Sequence, residues 1–152
     1  MKIVIGCDHT ACKLKTMLAA HISGKGHKVI DLGVNDGEAC DFPDKGREVA
    51  AMVVSGGVDL GVLICGTGVG VSIAANKVPG ARAACVSEPL SAMYTRLHND
   101  ANILAMGARI VSPETARRIV DAFLDTGYTG EQRHVRRVAK IAGMENAPGE
   151  CK

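Results

Sequence analysis

The sequence is poor in aromatic residues, with no Trp, two Tyr and two Phe among 152 residues. Aromatic side chains are the platforms on which single-stranded nucleic acids stack, so this scarcity argues against such a ligand. The formal net charge of +2 is also far from the basic excess that is typical of nucleic-acid-binding domains. We therefore expect no nucleic-acid partner.

Long apolar runs are missing as well. None approaches the roughly 18 residues that suggest a membrane span. Near the N-terminus, Lys2 is followed by a short apolar run that stops at Asp8, which is not the pattern of a secretory signal. We expect a cytoplasmic protein with no membrane partner.

The cysteines include no Cys-x-x-Cys pair, which argues against a structural zinc site. Their even number would permit disulfides, but a chain of this length can build its own core, and we expect free thiols and no metal. Cys7 and Cys85 lie inside apolar runs and are predicted to be buried. The six cysteines are Cys7, Cys12, Cys40, Cys65, Cys85 and Cys151.

Short apolar runs alternate along the chain with helical patterns. This alternation predicts an α/β fold in which a parallel sheet is covered on both faces, with ligands bound beyond the carboxyl ends of the strands. One domain over residues 1–145 and a flexible tail over 146–152 are expected. Strands are predicted at 2–7, 28–32, 60–65, 81–87 and 102–107, and helices at 11–23, 44–55, 70–77, 89–98, from Pro113 to near Gly127, and from Glu131 to Gly143.

The strongest motif is the glycine-rich segment from Cys65 to Gly70, CGTGVG, between a predicted strand and a predicted helix. Its alternating glycines allow a tight turn and a close approach to a ligand, and the helix start offers free N–H groups to an anion. A plain strand-to-helix turn is one alternative. A dinucleotide site is another, although G-x-G-x-G on the third strand differs from the G-x-G-x-x-G pattern on a first strand.

Cys65 lies beside this anion site, where a helix N-terminus favours the thiolate. Such a cysteine is a candidate nucleophile or general base, and the alternative is one more buried thiol. Nucleophilic catalysis also needs a histidine, which His98 could supply. A Cys–His hydrolase is therefore an open hypothesis.

Further polar residues follow the strands or share a helix face. Asp8 and His9 follow the first strand, and Arg109 follows the fifth. Arg133 and Arg137 are four residues apart, so they share a helix face, and their guanidinium groups suit a phosphate. The alternatives are a capping Asp with an exposed His, and a solvated basic face. The segment His98-Asn99-Asp100 could likewise be a simple helix end.

Taken together, these segments resemble the ribose-5-phosphate isomerase B family, which includes galactose- and allose-phosphate isomerases. The resemblance runs from Gly6-Cys7-Asp8-His9 to Arg137. It is carried by Ile64–Gly70 with the following SIAANK, by Ser87-Glu88-Pro89 and by His98–Asn102. It implies a Rossmann-like α/β/α sandwich with a five-stranded parallel sheet, no cofactor, a small sugar phosphate as ligand, and a homodimer. A tetramer is an open alternative.

The resemblance also implies a role for each site residue. Cys65 would be the base that moves a proton between C1 and C2, and the backbone of Gly66, Gly68, Val69 and Gly70 would stabilise the enediolate. Thr67 would handle protons on the sugar oxygens, and His98 would open the sugar ring. Asp8, Asp41 and Asn99 would hold hydroxyls, while His9, Arg109, Arg133 and Arg137 would bind the phosphate, the last two from the partner chain.

Two positions depart from the family pattern: Ala11 stands where Gly is common, and Phe42 where Tyr is common. Because Cys65 and His98 are both present, the resemblance favours ribose 5-phosphate as the substrate. A six-carbon sugar phosphate and a non-catalytic sugar-phosphate-binding protein are the alternatives.

Overall fold

The computed structural model describes residues 1–145, so the predicted tail at 146–152 lies outside the described residues. These residues form five strands and six helices in strict alternation until the last two helices. The strands are β1 (Lys2–Cys7), β2 (Lys28–Asp31), β3 (Leu60–Cys65), β4 (Ala83–Cys85) and β5 (Ile103–Gly107). The helices are α1 (Cys12–Gly24), α2 (Phe42–Val54), α3 (Val69–Ala75), α4 (Pro89–Asn99), α5 (Pro113–Leu124) and α6 (Gln132–Met144).

The strands form one parallel sheet in the order β2-β1-β3-β5-β4. Cys7 pairs with Ile64, and Cys65 pairs with Gly107, so β1, β3 and β5 end at the same edge of the sheet. We call this the carboxyl edge. The predicted α/β sandwich with a five-stranded parallel sheet is confirmed.

Both faces of the sheet are buried, which explains why its central strands are continuous apolar runs. Along β3, Val62 and Ile64 face one core with α1 and α5, while Leu63 and Cys65 face the other core with α2 and α3. All six residues of β3 are buried. The central strand is therefore a rigid support for the segment that follows Cys65.

Several element boundaries differ from the prediction by a few residues, and two of these differences have a structural cause. Helix α2 begins at Phe42, because Pro43 occupies its first turn, where a proline is tolerated. Strand β4 has only three residues; it is one of the two edge strands of the sheet and pairs with β5 alone. The prediction that Cys85 is buried is wrong for the same reason: the side chain lies exposed at the end of the edge strand.

An asparagine side chain hydrogen-bonds to the outer side of the edge strand β4. Asn76, just after α3, accepts a hydrogen bond from the Ala83 N–H at 2.7 Å and donates one to the Ala83 carbonyl at 2.8 Å. The amide thereby substitutes for a further strand at this residue. It also ties the end of α3 to β4.

The five cysteines among the described residues are all free thiols, as expected. No helix within residues 1–145 combines the length and the apolar character needed to cross a bilayer.

Candidate active site

The segment from Cys65 to Gly70, here called the Cys65 loop, turns from β3 into α3 at the carboxyl edge. Cys65 is buried, with 4% of its surface exposed. Its sulfur accepts a 3.1 Å hydrogen bond from the N–H of Gly68. Gly68 has φ +81°, and a Cβ there would lie 2.7 Å from the carbonyl carbon of Met106. Only glycine meets both requirements, so the loop geometry that presents a donor to the sulfur depends on this residue.

Most of the other amides of the Cys65 loop are available to a ligand. The Val69 N–H makes a long contact, 3.4 Å, with Oγ1 of Thr67. The N–H groups of Gly66, Thr67 and Gly70 have no acceptor within residues 1–145. Unpaired amides beside a thiol can stabilise negative charge that forms on a substrate oxygen.

Gly107, at the end of β5, packs against the Cys65 loop, and no sequence pattern marks it apart from its place at a strand end. A Cβ at Gly107 would lie 2.5 Å from the carbonyl carbon of Thr67. The Ala108 N–H also donates to the Cys65 carbonyl at 2.8 Å. The close packing of β5 against the loop therefore fixes the position of the Thr67 backbone, while the Thr67 side chain is exposed.

Asp8, His9 and Arg109 reach the same edge. Asp8 is buried, and both the backbone N–H and the hydroxyl of Thr10 donate to its Oδ1. A Cβ built on Gly66 would lie 3.6 Å from Nε of Arg109 and 3.6 Å from Oγ1 of Thr10. Because Asp8 bonds to Thr10, the carboxylate and the guanidinium both lie beside the start of the Cys65 loop.

The start of α2 brings Asp41 to this edge. The ring of His9 hydrogen-bonds through Nδ1 to the Cys40 carbonyl at 3.2 Å, one residue before Asp41. The next residue, Phe42, packs its ring over Gly70, where a Cβ would lie 2.7 Å from the ring. Asp41 is exposed and makes no side-chain cap to α2. Its carboxylate is therefore free for a ligand.

A second thiol at the end of β1 is held in its neutral form. Burial raises the pKa of Cys7 to about 12, and the neighbouring thiol of Cys12 adds to the effect. The Cys7 thiol contacts the Val34 carbonyl at 3.9 Å. Since the thiolate is the reactive form, Cys7 is not a candidate base.

His98 and Asn99 do not join this group within one chain. Helix α4 links the carboxyl end of β4 to the amino end of β5, so it runs antiparallel to the strands. Its last residues lie near Ile103, at the start of β5, whereas Cys65 pairs with Gly107 at the end of β5. Four steps along a strand span about 13 Å. His98 and Asn99 thus lie at the opposite edge of the sheet from Cys65.

Arg133 and Arg137 lie with His98, not with Cys65. His134, between them on α6, stacks on His98 with ring centroids 4.3 Å apart. Both arginines are exposed, and Arg133 forms an ion pair with Glu131 at 2.8 Å. The predicted site residues therefore fall into two groups: Asp8, His9, Asp41, the Cys65 loop and Arg109 at the carboxyl edge, and His98, Asn99, Arg133 and Arg137 at the other.

His134 has an unusual setting for a polar side chain. It is 3% exposed, and neither ring nitrogen has a hydrogen-bond partner within residues 1–145. Burial lowers the pKa of His134 from its ordinary value of 6.5, and the charges of His98, Arg133 and Arg137 lower it further, against an opposing effect of Glu131. The ring is therefore held neutral beside His98.

Within residues 1–145, no three His, Cys, Asp or Glu side chains come together as a metal site would require. The arrangement at the carboxyl edge is a thiol, unpaired amides, two carboxylates, a histidine and an arginine. Such a set suits proton transfer on a small anionic polyol.

Comparison with known proteins gives matches along nearly the whole chain. Ribose-5-phosphate isomerase B of Escherichia coli (strain K12) is 50% identical over 144 residues, which cover 95% of this chain and 96% of that protein. Galactose-6-phosphate isomerase subunit LacB of Clostridium acetobutylicum is 43% identical over 99% of this chain and 87% of its own length.

Solved structures of similar proteins share the fold. Ribose-5-phosphate isomerase B of Clostridium thermocellum superposes with a TM-score of 0.93 at 49% identity, over 95% of this chain and 97% of that one. The Mycoplasma genitalium enzyme, solved with bound ribulose-5-phosphate, superposes with a TM-score of 0.91 at 42% identity, over 97% of each chain. Residues 3–141 match the Ribose/Galactose Isomerase family, and the chain belongs to this family of enzymes.

Proposed function

We propose that this isomerase interconverts ribose 5-phosphate and ribulose 5-phosphate through an enediolate, with Cys65 as the base. The observation that carries the proposal is the position of the Cys65 sulfur. It lies at the end of the central strand, it accepts a hydrogen bond from Gly68, and it adjoins the unpaired amides of Gly66, Thr67 and Gly70. The 50% identity to the Escherichia coli ribose-5-phosphate isomerase B supports the choice of sugar.

In the proposed reaction, the Cys65 thiolate removes the proton from C2 of the open-chain aldose, and the electron pair moves toward the C1 carbonyl oxygen. The resulting enediolate is stabilised by the amides of the Cys65 loop. The thiol then returns the proton to C1, while Thr67 helps to move a proton between the two oxygens. The step is redox-neutral overall, since the aldehyde is reduced as the neighbouring alcohol is oxidised within one molecule.

The rest of the substrate is held by both groups of site residues, which come from two different chains. Asp8, Asp41 and Asn99 accept hydrogen bonds from the sugar hydroxyls. The phosphate is bound by the group His9, Arg109, Arg133 and Arg137. Guanidinium groups match phosphate oxygens in a bidentate geometry. Because the phosphate is remote from C1 and C2, its binding energy orients the sugar for proton transfer.

A complete site requires two chains. His98, which would open the sugar ring as a general acid, lies at the edge opposite Cys65 in its own chain, as do Asn99, Arg133 and Arg137. A homodimer could bring His98, Asn99, Arg133 and Arg137 of one chain to the carboxyl edge of the other. The two groups of site residues would then form one site. Each chain would then contribute to two equal sites, as a two-fold axis requires.

The surface of the chain supports such a pairing. The two helices that flank the edge strand β4 expose apolar pairs: Val69 and Ile73 on α3, Leu90 and Tyr94 on α4. Helix α6 buries only His134 among its described side chains. Helices are mostly stabilised by the packing of an apolar face, so a helix this exposed favours an additional partner. A tetramer of two dimers is compatible with the same surfaces.

A six-carbon sugar phosphate is the second candidate substrate. The relative named as a galactose-6-phosphate isomerase subunit is 43% identical to this chain. Phe42, whose ring covers Gly70, gives this corner of the site an apolar wall instead of a hydroxyl.

The test is the conversion of ribose 5-phosphate to ribulose 5-phosphate by purified protein in the presence of a chelator. Allose 6-phosphate and galactose 6-phosphate are run in parallel. Preference for ribose 5-phosphate is the expected result, and preference for a hexose would change the substrate but keep the mechanism. In deuterated water, exchange at C2 is expected, whereas a Cys–His hydrolase would give no exchange. Binding without turnover would indicate a sugar-phosphate-binding protein.

A further inference from the structure

Asp8 is held by a residue that lies two positions further along the chain. The N–H of Thr10 donates to Oδ1 of Asp8 at 2.9 Å, and the Thr10 hydroxyl donates to the same oxygen at 2.6 Å. Hydrogen bonds from a hydroxyl to a carboxylate are short and strong when the geometry is this close. Two donors therefore occupy Oδ1, and Oδ2 has no partner within residues 1–145.

The two bonds to Oδ1 differ in their dependence on sequence. Any residue except proline at position 10 would supply the backbone N–H. Only a hydroxyl-bearing side chain such as Thr or Ser supplies the second bond. The backbone bond alone leaves the carboxylate free to turn about its last torsion angle, since such torsions are broad. The hydroxyl removes that freedom, so it selects which oxygen faces outward.

Thr10 is also placed where the substrate must lie. Its Oγ1 is 3.6 Å from the position of a Cβ on Gly66, and Nε of Arg109 is at the same distance from that position. The hydroxyl therefore contacts Asp8 and lies close to Gly66, at the start of the Cys65 loop, as does Arg109. The side chain is half-buried, in contrast to the exposed Thr67 and Thr16.

We propose that Thr10 is a positioning residue for the isomerase reaction: its hydroxyl fixes the Asp8 carboxylate so that Oδ2 meets a sugar hydroxyl beside the Cys65 loop. Thr10 acts through Asp8 and takes no proton from the substrate. The inference rests on the proposed function, because it concerns how the same site holds its sugar. Its physical basis is that small errors in the orientation of a bound substrate cost large factors in rate.

The experiment compares Thr10→Val, which keeps the shape and the N–H but removes the hydroxyl, with Thr10→Ser, which keeps the hydroxyl. Kinetic constants for ribose 5-phosphate are measured together with thermal unfolding. A hydrogen bond to a charged group corresponds to a factor of about 10 to 100. We expect Thr10→Val to lower kcat/KM by about that factor and Thr10→Ser to restore it to within about twofold of the wild type.

The matched control is Thr16→Val. The Thr16 hydroxyl also makes one bond, 3.0 Å to the Cys12 carbonyl, but on the exposed side of α1 away from Asp8. We expect this variant to keep the kinetic constants of the wild type. A loss of activity in Thr16→Val equal to that in Thr10→Val would indicate a general effect of lost hydroxyls at and before α1, and would overturn the inference.

A double-mutant cycle with Asp8→Asn separates positioning from a purely structural effect. If Thr10 acts through the carboxylate, Thr10→Val changes kcat/KM much less in the Asp8→Asn background than in the wild type. An equal loss in both backgrounds, or no loss in the wild-type background, would overturn the inference while leaving the isomerase activity in place. Failure of the proposed function is a different result: the wild type itself would convert none of the three sugar phosphates.

Discussion

The ring of His98 stacks on the ring of His134, with centroids 4.3 Å apart and planes 8° from parallel. The contact joins the end of α4 to α6, and α6 carries Arg133 and Arg137 on either side of His134. The contact therefore places the proposed ring-opening acid and the proposed phosphate-binding arginines at one end of the molecule. In a dimer, these side chains would enter the partner's site together.

Replacement of Cys65 by Ser tests the base. Serine keeps the hydrogen-bond geometry at Gly68 but cannot form an anion at neutral pH. We expect kcat to fall by at least about 10²-fold, as is typical when a general base is lost, while the sugar phosphate still binds. Steady-state kinetics and calorimetric titration measure the two effects. Cys40→Ser is the control and should keep wild-type turnover; substantial activity in Cys65→Ser would exclude the proposed role.

Complementation tests the shared site. A Cys65→Ala chain and an Arg133→Ala/Arg137→Ala chain are each expected to be inactive alone. The two variants are unfolded together and refolded, so that chains pair at random. About half of the dimers are then mixed, and each mixed dimer has one complete site. About a quarter of the wild-type activity should therefore return. The control pairs Cys65→Ala with Asp8→Asn, which lie at the same edge and cannot complement. Equal recovery in both mixtures, or none in the first despite mixed dimers, would contradict a shared site.

Gly68→Ala tests the geometry of the Cys65 loop. The residue has φ +81°, and its new Cβ would lie 2.7 Å from Met106 and 2.9 Å from the Cys85 sulfur. We expect a loss of about 1–3 kcal/mol in the free energy of unfolding and a large loss of turnover. Gly24→Ala is the matched control, since a Cβ at Gly24 meets nothing within 4 Å. Denaturant unfolding measures the stability of the two variants, and steady-state kinetics measure their turnover. Equal stability of the two variants would show that the loop tolerates a side chain.

The pH dependence of stability tests the setting of His134. Folding lowers the pKa of His134 below 6.5, mainly by burial. The unfolded chain then binds more protons, so this contribution to stability is complete above the unfolded pKa and is lost as the pH falls toward the folded one. We expect the free energy of unfolding of the wild type to fall between about pH 7 and pH 5 more steeply than that of His134→Phe, which keeps a stacked ring. If the free energy of unfolding fell more steeply with falling pH in His134→Phe than in the wild type, the prediction would be wrong.

The fold could be predicted because the central strands are buried on both faces and therefore appear as continuous apolar runs. The exception was β4, for which the apolar run 81–87 is longer than the three paired residues Ala83–Cys85. An apolar run does not show which strand lies at an edge. The exposure of Cys85 follows from strand order, which depends on contacts far apart in the sequence.

The grouping of candidate site residues was predictable where they follow strand ends, as Asp8, the Cys65 loop and Arg109 do. The separation of His98 from Cys65 could not be seen in the motifs themselves, because it depends on α4 running antiparallel to the strands. Thr10 and Gly107 were missed for another reason. Their contributions are a hydroxyl aimed at Asp8 and a missing side chain under Thr67, and neither leaves a pattern in the sequence.

The amide of Asn76 has a consequence for how copies of this chain can meet. At Ala83 it occupies the N–H and the carbonyl that an added strand would need. An exposed strand with free backbone groups is a template for the growth of an intermolecular sheet, the route to fibrous aggregates. With the backbone groups of Ala83 occupied, we expect association at the β4 side to proceed mainly through helix side chains, whose shapes set a defined stoichiometry. One asparagine thus disfavours open-ended growth at the β4 edge of the sheet.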